Sequence, residues 1–256
     1  MLAFWPEVVR PLLDALQPRN LVEIGSESGR TTRLLLEFAR EQQAHVHAID
    51  PSPAFDVTAW LAEFCGSFTF HRLPSLVALC GIDRFDAVLI DGDHNWFTVF
   101  NELKLIESRS LETGQNFPLI LLHDVAWPYG RRDLYYNPDA IPAEYRHPWA
   151  NKGISPTRSE LLDSGGFNAS MCNAVKEGGP RNGVLTAMQD YVAQSIIGFE
   201  QVVIPAVFGL GILLPQPLAA ERPQLAQRVR AWAVPEIQRF IERMEMARIA
   251  MLTGAG

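Results

Sequence analysis

Apolar residues follow two rhythms along this chain. Between residues 20 and 124, short runs rich in Val, Ile, Leu and Phe alternate with longer stretches in which apolar positions recur every three or four residues. Strands buried on both faces read as near-continuous apolar runs, so this alternation predicts strand–helix–strand units on a parallel sheet. The predicted strands are 21–25 (LVEIG), 45–50 (HVHAID), 67–73 (SFTFHRL), 85–92 (FDAVLIDG) and 118–124 (PLILLHD). The stretches between them carry helix-start signals: Thr31 and Thr32 follow a glycine, Pro53 precedes an amphipathic segment, and Asn95 stands before WFTVFNELKLIE, where Phe97, Phe100, Leu103 and Ile106 share one face.

From Val125 to about Asn182 the rhythm lapses, and Pro, Gly, Tyr, Trp and Arg crowd a stretch without sustained period. A long irregular connection inside a domain is usually a functional lid or a disordered insert, and the aromatic content favours an ordered lid. Helical spacing resumes in GVLTAMQDYVAQSI, and EQVVIPAVFGLGILLP reads as two adjacent strands turning near Ala206 and Val207. The tail, about 220–252, is amphipathic and broken at Pro235. The expected organisation is one α/β domain over 1–256, with the lid inserted at about 125–182.

Composition narrows the function classes. A 256-residue chain that is 48% hydrophobic can bury a real core, and a net charge of −7 gives no global basic field for nucleic acid or an anionic membrane surface. The start, MLAFWPEVVRPLLDALQPRN, lacks the pattern of a signal peptide, being interrupted by Pro6 and Pro11. VVIPAVFGLGILLP is too short and too broken by Pro205, Gly209 and Gly211 to span a bilayer. A cytoplasmic protein is expected. Cys65, Cys80 and Cys172 are widely spaced, which points to ordinary, mostly buried thiols and to neither a disulfide framework nor a zinc site.

The chemistry concentrates at predicted strand ends. LVEIGSESGRTT is a strand containing Glu23, then Gly25 and Gly29, then a helix, a turn where backbone approaches a ligand closely. Three residues separate the two glycines and no third follows, so the dinucleotide fingerprint is absent, as is a Walker lysine. Glu23 and Glu27 would repel a pyrophosphate. Asp50 closes the second strand, where open α/β sheets place an acid on ribose hydroxyls. Glu23 with Asp50 suits a nucleoside without phosphate and with a positive amino-acid end, which describes S-adenosylmethionine. The plainer alternative is that Gly25 and Gly29 only permit tight strand–helix packing.

E-x-G-x-x-x-G after the first strand, an acid closing the second and FDAVLIDGDH closing the fourth resemble class I S-adenosylmethionine-dependent methyltransferases. LIDGDHNWFTVFNELKLIE followed by LLHD resembles, more narrowly, the branch with macrocin-type sugar O-methyltransferases, over roughly residues 20–215. The resemblance implies a Rossmann-like, doubly wound seven-stranded sheet with its last strand antiparallel and helices on both faces. It also implies a cofactor site drawn from Glu23, Gly25, Ser26, Gly29, Thr31, Asp50, Ser75, Asp91 and Gly92.

Asp91 and Asp124 end neighbouring predicted strands, so both carboxylates should reach one rim, where two hard oxygen donors suit Mg²⁺. Capping of the following helices is the alternative use for them, and Asp93 is divided between capping and the cofactor side. His94, three residues after Asp91, can accept a proton near neutral pH. Some members of the sugar branch show D-x-x-H here and an acidic pair on the next strand, with the histidine read as base. His123–Asp124 matches that pair only in its second residue, leaving His123 as a third ligand, a rival base or a polar strand end. Tyr129, Arg131, Arg132, Tyr135 and Tyr136 in the lid, with Arg181 and Asn182 at its end, are candidates for contacting a sugar.

The expected activity is therefore Mg²⁺-assisted methyl transfer from S-adenosylmethionine to a carbohydrate hydroxyl of a glycosylated natural product or an oligosaccharide. Asp91 and His94 are the catalytic candidates, and Asp91, Asp124 and His123 the metal candidates. The rivals are a metal-independent methyltransferase of a phenol or amine, and a non-catalytic subunit of the same fold. No nucleic-acid or membrane partner is expected, and the tail helices serve either to pair two copies in a homodimer or to cover the sheet.

Overall fold

Every predicted apolar run between residues 20 and 124 forms a strand, with its ends shifted by no more than two residues. The structure, a computed structural model, describes residues 1–253. A 3₁₀ turn (Leu2–Phe4) and a π-helical stretch (Trp5–Val9) lead into α1 (Arg10–Leu16). There follow β1 (Asn20–Ile24), α2 (Arg30–Gln42), β2 (His45–Ile49), α3 (Val57–Glu63), β3 (Phe68–His71), α4 (Ser75–Ala78), β4 (Ala87–Ile90), α5 (Trp96–Glu112) and β5 (Leu119–His123). The irregular stretch holds the short strands β6 (Leu134–Tyr135), β7 (Trp149–Asn151) and β8 (Cys172–Ala174). The chain then continues through α6 (Val184–Gln194), β9 (Phe199–Ile204), β10 (Leu210–Pro215), α7 (Gln216–Glu221), α8 (Pro223–Ala231) and α9 (Pro235–Thr253).

The main sheet runs β3-β2-β1-β4-β5-β10-β9, with β10, the last strand of the chain, antiparallel to both neighbours. This is the Rossmann-like sheet that the resemblance implied. Strand order reverses direction between β1 and β4, the switch point where such sheets open a crevice beyond the carboxyl ends of the strands. Register sets what meets there. Ile24 lies opposite Ile49 and Ile90, and Ile90 opposite Leu122, so the chain leaves four adjacent strands at one level.

Alternate residues of each strand feed two cores. Leu21, Val46, Leu89, Leu121 and Ile212 pack under α1, α2 and α8, through Leu12, Leu35, Phe38, Leu225 and Val229. Val22, Ile49, Val88, Ile90 and Ile120 pack under α5 and α6, through Val99, Leu103, Ile106, Met188 and Tyr191. Both faces of the sheet are thus covered, which is why its central strands carry almost no polar residues. The insertion has only a small core of its own around Tyr129, Leu134, Ile154 and Leu161.

Two expectations need correction. The tail breaks at Pro223 as well as Pro235, because each proline starts a helix and cannot continue one. Cys65 and Cys80 are exposed and Cys172 is half-buried, all three as free thiols rather than core residues. Among the described residues no helix is long and apolar enough to cross a membrane.

Candidate active site

The glycine turn is dictated by the close approach of β1 and β4. Gly25 has φ of +88°, and a Cβ on it would stand 2.2 Å from the carbonyl oxygen of Asp91, so only glycine fits. Gly92 faces it from the other side, with Ile24 in contact. Gly29, at φ of +77°, starts α2 beneath the Phe55–Trp60 pair, where a Cβ would lie 2.7 Å from the indole. Tight packing therefore accounts for both glycines of this loop.

Asp50 braces the loop. One of its carboxylate oxygens accepts the backbone N–H groups of Ser26 (3.0 Å) and Glu27 (2.8 Å), and the other accepts that of Ser52 (2.7 Å). That leaves one lone pair for a ribose hydroxyl, so its first role is to hold the turn in shape. Glu23 is buried, accepting from Thr32 Oγ1 (2.5 Å) and Ser26 Oγ (3.3 Å). Burial, aided by the nearby charge of Asp91, pushes its carboxyl up to about 8 despite the Thr32 bond. Glu23 is thus turned inward, onto Thr32 and Ser26. Thr32, rather than Thr31, is the threonine that reaches this acid. Ser75 opens α4 beside Glu102, though no hydrogen bond closes between them.

Asp91 and Asp124 do meet at the rim, joined by a histidine. Asp91 follows Ile90, whose partner is Leu122, and the same register sets Asp91 beside His123. His123 Nδ1 lies 2.9 Å from Asp124 Oδ2 and 3.2 Å from Asp91 Oδ1. Burial alone would lower His123, but the charges of Asp91 and Asp124 outweigh it and raise it to about 10. Both carboxyls are held below the usual range against their own burial, Asp91 chiefly by His123 and Asp124 by His94 and His123. The Met1 amino group adds a second cation at Asp91 Oδ2 (2.8 Å), and Phe4 sets its ring edge-on to His123 at 5.9 Å. No residue pattern at the N-terminus signals this contact.

His94 pairs with Asp124 and not with Asp91, correcting the partner suggested by the three-residue spacing. Its Nε2 stands 3.2 Å from Asp124 Oδ2, and both ring nitrogens are buried without a hydrogen bond among the described residues. The reason is local. Asp124 takes φ of +60°, a left-handed turn that swings its carboxylate toward the start of α5. Capping does not explain the acids, because Asn95 caps α5 by accepting from Thr98 N–H (2.9 Å). Asp93 instead accepts from the Thr98 hydroxyl (3.1 Å), with burial raising its carboxyl.

Asp91, His123 and Asp124 each offer a ligand atom within 4.8 Å of the others, the only such group of three among the described residues. Two carboxylates and an imidazole fit a divalent cation, although the imidazole suits Mn²⁺ or Zn²⁺ better than Mg²⁺.

Of the seven lid residues expected at the acceptor, two face His94. Tyr129 stacks on its ring at 5.6 Å and Tyr136 leans on it at 5.7 Å, with the Tyr136 ring exposed. The others serve the insertion. Arg132 is buried, giving its guanidinium to the carbonyls of Ala174 and Ser159. Tyr135 donates to Asp133 Oδ2 (2.8 Å), and Asn182 accepts from Asp133 N–H and donates to the Lys176 and Gly178 carbonyls. Arg131 points onto α6, toward Thr186 and Gln189. Arg181 lies over Trp96 and Tyr145 at the edge of a cavity of about 430 Å³ that is lined by neither His94 nor the rim acids. A segment with so small an apolar core must satisfy its backbone with polar side chains, and Arg132 and Asn182 are drawn inward for that purpose. Asp133, the hub that accepts from Trp96 N–H, Gly183 N–H and Tyr135, was not singled out in the sequence.

Residues 22–125 match the family model described as a methyltransferase domain. The match runs from β1 to the residue after Asp124, so it contains Asp50, Asp91, His94, His123 and Asp124. No curated protein matches the chain. Solved structures similar to it include the S-adenosylhomocysteine-bound methyltransferase PaMTH1 of Podospora anserina, 16% identical, with a TM-score of 0.48, covering 81% of this chain and 76% of that one. Another is the 1,6-didemethyltoxoflavin-N1-methyltransferase of Burkholderia thailandensis, 14% identical, with a TM-score of 0.45 over 83% and 80%. A third is an S-adenosylmethionine-dependent methyltransferase of Mesorhizobium loti, 16% identical, with a TM-score of 0.41 over 88% and 91%. Likeness at this level bears on neither substrate nor mechanism, and the fold rests on the strand order itself.

Proposed function

We propose, from the methyltransferase-domain match over residues 22–125, that this chain is an S-adenosylmethionine-dependent methyltransferase acting on a hydroxyl, most suitably one of a carbohydrate. The observation that carries the O-methyl reading is His94: an imidazole whose buried nitrogens make no hydrogen bond among the described residues, with Nε2 3.2 Å from the Asp124 carboxylate. Bound S-adenosylmethionine would supply a methyl group on an electrophilic sulfonium. Transfer breaks the carbon–sulfur bond, forms a carbon–oxygen bond and releases the hydroxyl proton. His94 accepts that proton, and Asp124 stabilises the imidazolium that results. His123 is unsuited to the task, since its Nδ1 already faces a carboxylate on either side.

The acids suit the cofactor. Asp91 holds an ammonium group in this structure, that of Met1, and the methionine end of the cofactor carries the same group. The exposed ring of Tyr136 leans on His94, and such a ring fits the apolar face of a sugar. Asp91, Asp124 and His123 would hold a divalent cation, which would polarise the acceptor oxygen. A metal-free reading has its own support, because His123 set between the two carboxylates already neutralises part of their charge.

The test is methyl transfer from labelled S-adenosylmethionine to a panel of glycosides and phenols, with and without EDTA, by wild type and His94→Ala. The expected loss in kcat for His94→Ala is about 10²–10⁴-fold, with cofactor affinity unchanged. Full activity in the variant would remove His94 as base. Loss of wild-type turnover on chelation, restored by Mn²⁺, separates the metal reading from the metal-free one. A folded protein that binds cofactor but turns over no acceptor would favour the non-catalytic subunit.

A further inference from the structure

α9 is docked along one side only. Of its 19 residues, just Glu245 and Ile249 are buried. Glu245 accepts from Phe208 N–H (3.0 Å), Arg248 lies over the Phe208 ring, and Ile241 packs against the core beneath α1 and α8. On the side turned away from this contact stand Ile237, Phe240, Met244, Ala247 and Met251, all exposed. The large ones expose 42%, 56%, 58% and 80% of their surface in that order.

Their spacing is 3, 4, 3 and 4 residues, the seam of a two-helix coiled coil, which packs against a helix bearing the same seam. Contiguous apolar surface of this kind on an otherwise polar helix marks an interaction site. Charge narrows the partner. Glu236, Glu242 and Glu245 balance Arg239, Arg243 and Arg248 along the helix, while the whole chain carries −7. A helix without net positive charge has no attraction for an anionic membrane. Two copies of a neutral helix meet without net repulsion.

The area agrees. Covering the surface that these four side chains still expose buries on the order of 100 Å² each. Four per copy, with the aliphatic stems of Arg243 and Arg248 on either flank, give about 1,000 Å² over both copies, the lower bound for a specific interface. We propose that the seam Ile237–Phe240–Met244–Ala247–Met251 of α9 is a self-association surface, and that its occupant is the same helix of a second copy of this chain.

The experiment is light scattering on size-exclusion peaks of the full chain at about 100 μM, for wild type, Met244→Glu and Met251→Glu, with Ile196→Glu as control. Ile196 is 84% exposed and lies outside the seam. The expected masses are twice that of the chain for wild type and Ile196→Glu, and that of the single chain for both seam variants, with unchanged circular dichroism. Either seam variant suffices if the other fails to fold. A monomeric wild type, or a dimer that survives both seam substitutions, would overturn the proposal. Sedimentation of monomeric wild type with phosphatidylcholine–phosphatidylserine vesicles would overturn it in favour of a membrane.

Discussion

Glu102 shows what burial does to a single carboxyl in this protein. It sits on α5 with no exposed surface, and neither oxygen has a hydrogen-bond partner among the described residues. Burial, with the Asp93 charge nearby, raises it to about 8. The acid therefore stays protonated when folded and ionises in the unfolded chain above about pH 4.5, so its contribution to stability is full below that value and falls as pH rises toward 8. Glu102→Gln keeps the shape and removes the titration. It should raise the Tm at pH 8–9 relative to wild type and leave it unchanged at pH 4–5, and an equal effect at both would contradict the assignment. The rim was legible at this scale only in part. Asp91, His94 and Asp124 could be picked out because an apolar strand has no reason to end on such residues. Which histidine meets which acid could not, because it depends on strand register and on the left-handed turn at Asp124.

Among the elements, the central strands were the easiest to read and the insertion the hardest. Strands covered on both faces must be apolar throughout, and the runs around Val88 and Ile120 say so directly. β6, β7 and β8 are two or three residues long, too short for any period, and what organises them is the buried carboxylate of Asp133. Asp133→Ala would leave the N–H groups of Trp96 and Gly183 without their acceptor, at a cost of about 2–4 kcal/mol. The predicted result in hydrogen exchange is loss of protection over residues 129–183, with β1 to β5 still protected. Uniform loss across the chain, or none, would show that Asp133 does not organise this segment. Arg132 and Asn182 could not be told from ligand-binding residues by sequence, since an arginine that pairs with backbone carbonyls looks the same as one awaiting a substrate.

At the scale of the molecule, the strand order brings distant segments to one crevice. Because the sheet reverses between β1 and β4, Gly25, Asp50, Asp91 and His123, spread over a hundred residues of sequence, leave four neighbouring strands at the same level, with Asp124 one residue further on. The acids gathered there, the glycine contact that brings β1 against β4 and His94, whose ring nitrogens make no hydrogen bond among the described residues, form the basis of the methyl transfer proposed for this chain. Everything in that account depends on the crevice accepting S-adenosylmethionine. The most direct test is calorimetric titration of S-adenosylmethionine into wild type and Asp50→Ala, with the fold of each checked by circular dichroism. The account predicts one site per chain in wild type, lost in Asp50→Ala when the turn it braces is released. A folded wild type that binds no S-adenosylmethionine at millimolar concentration would contradict it.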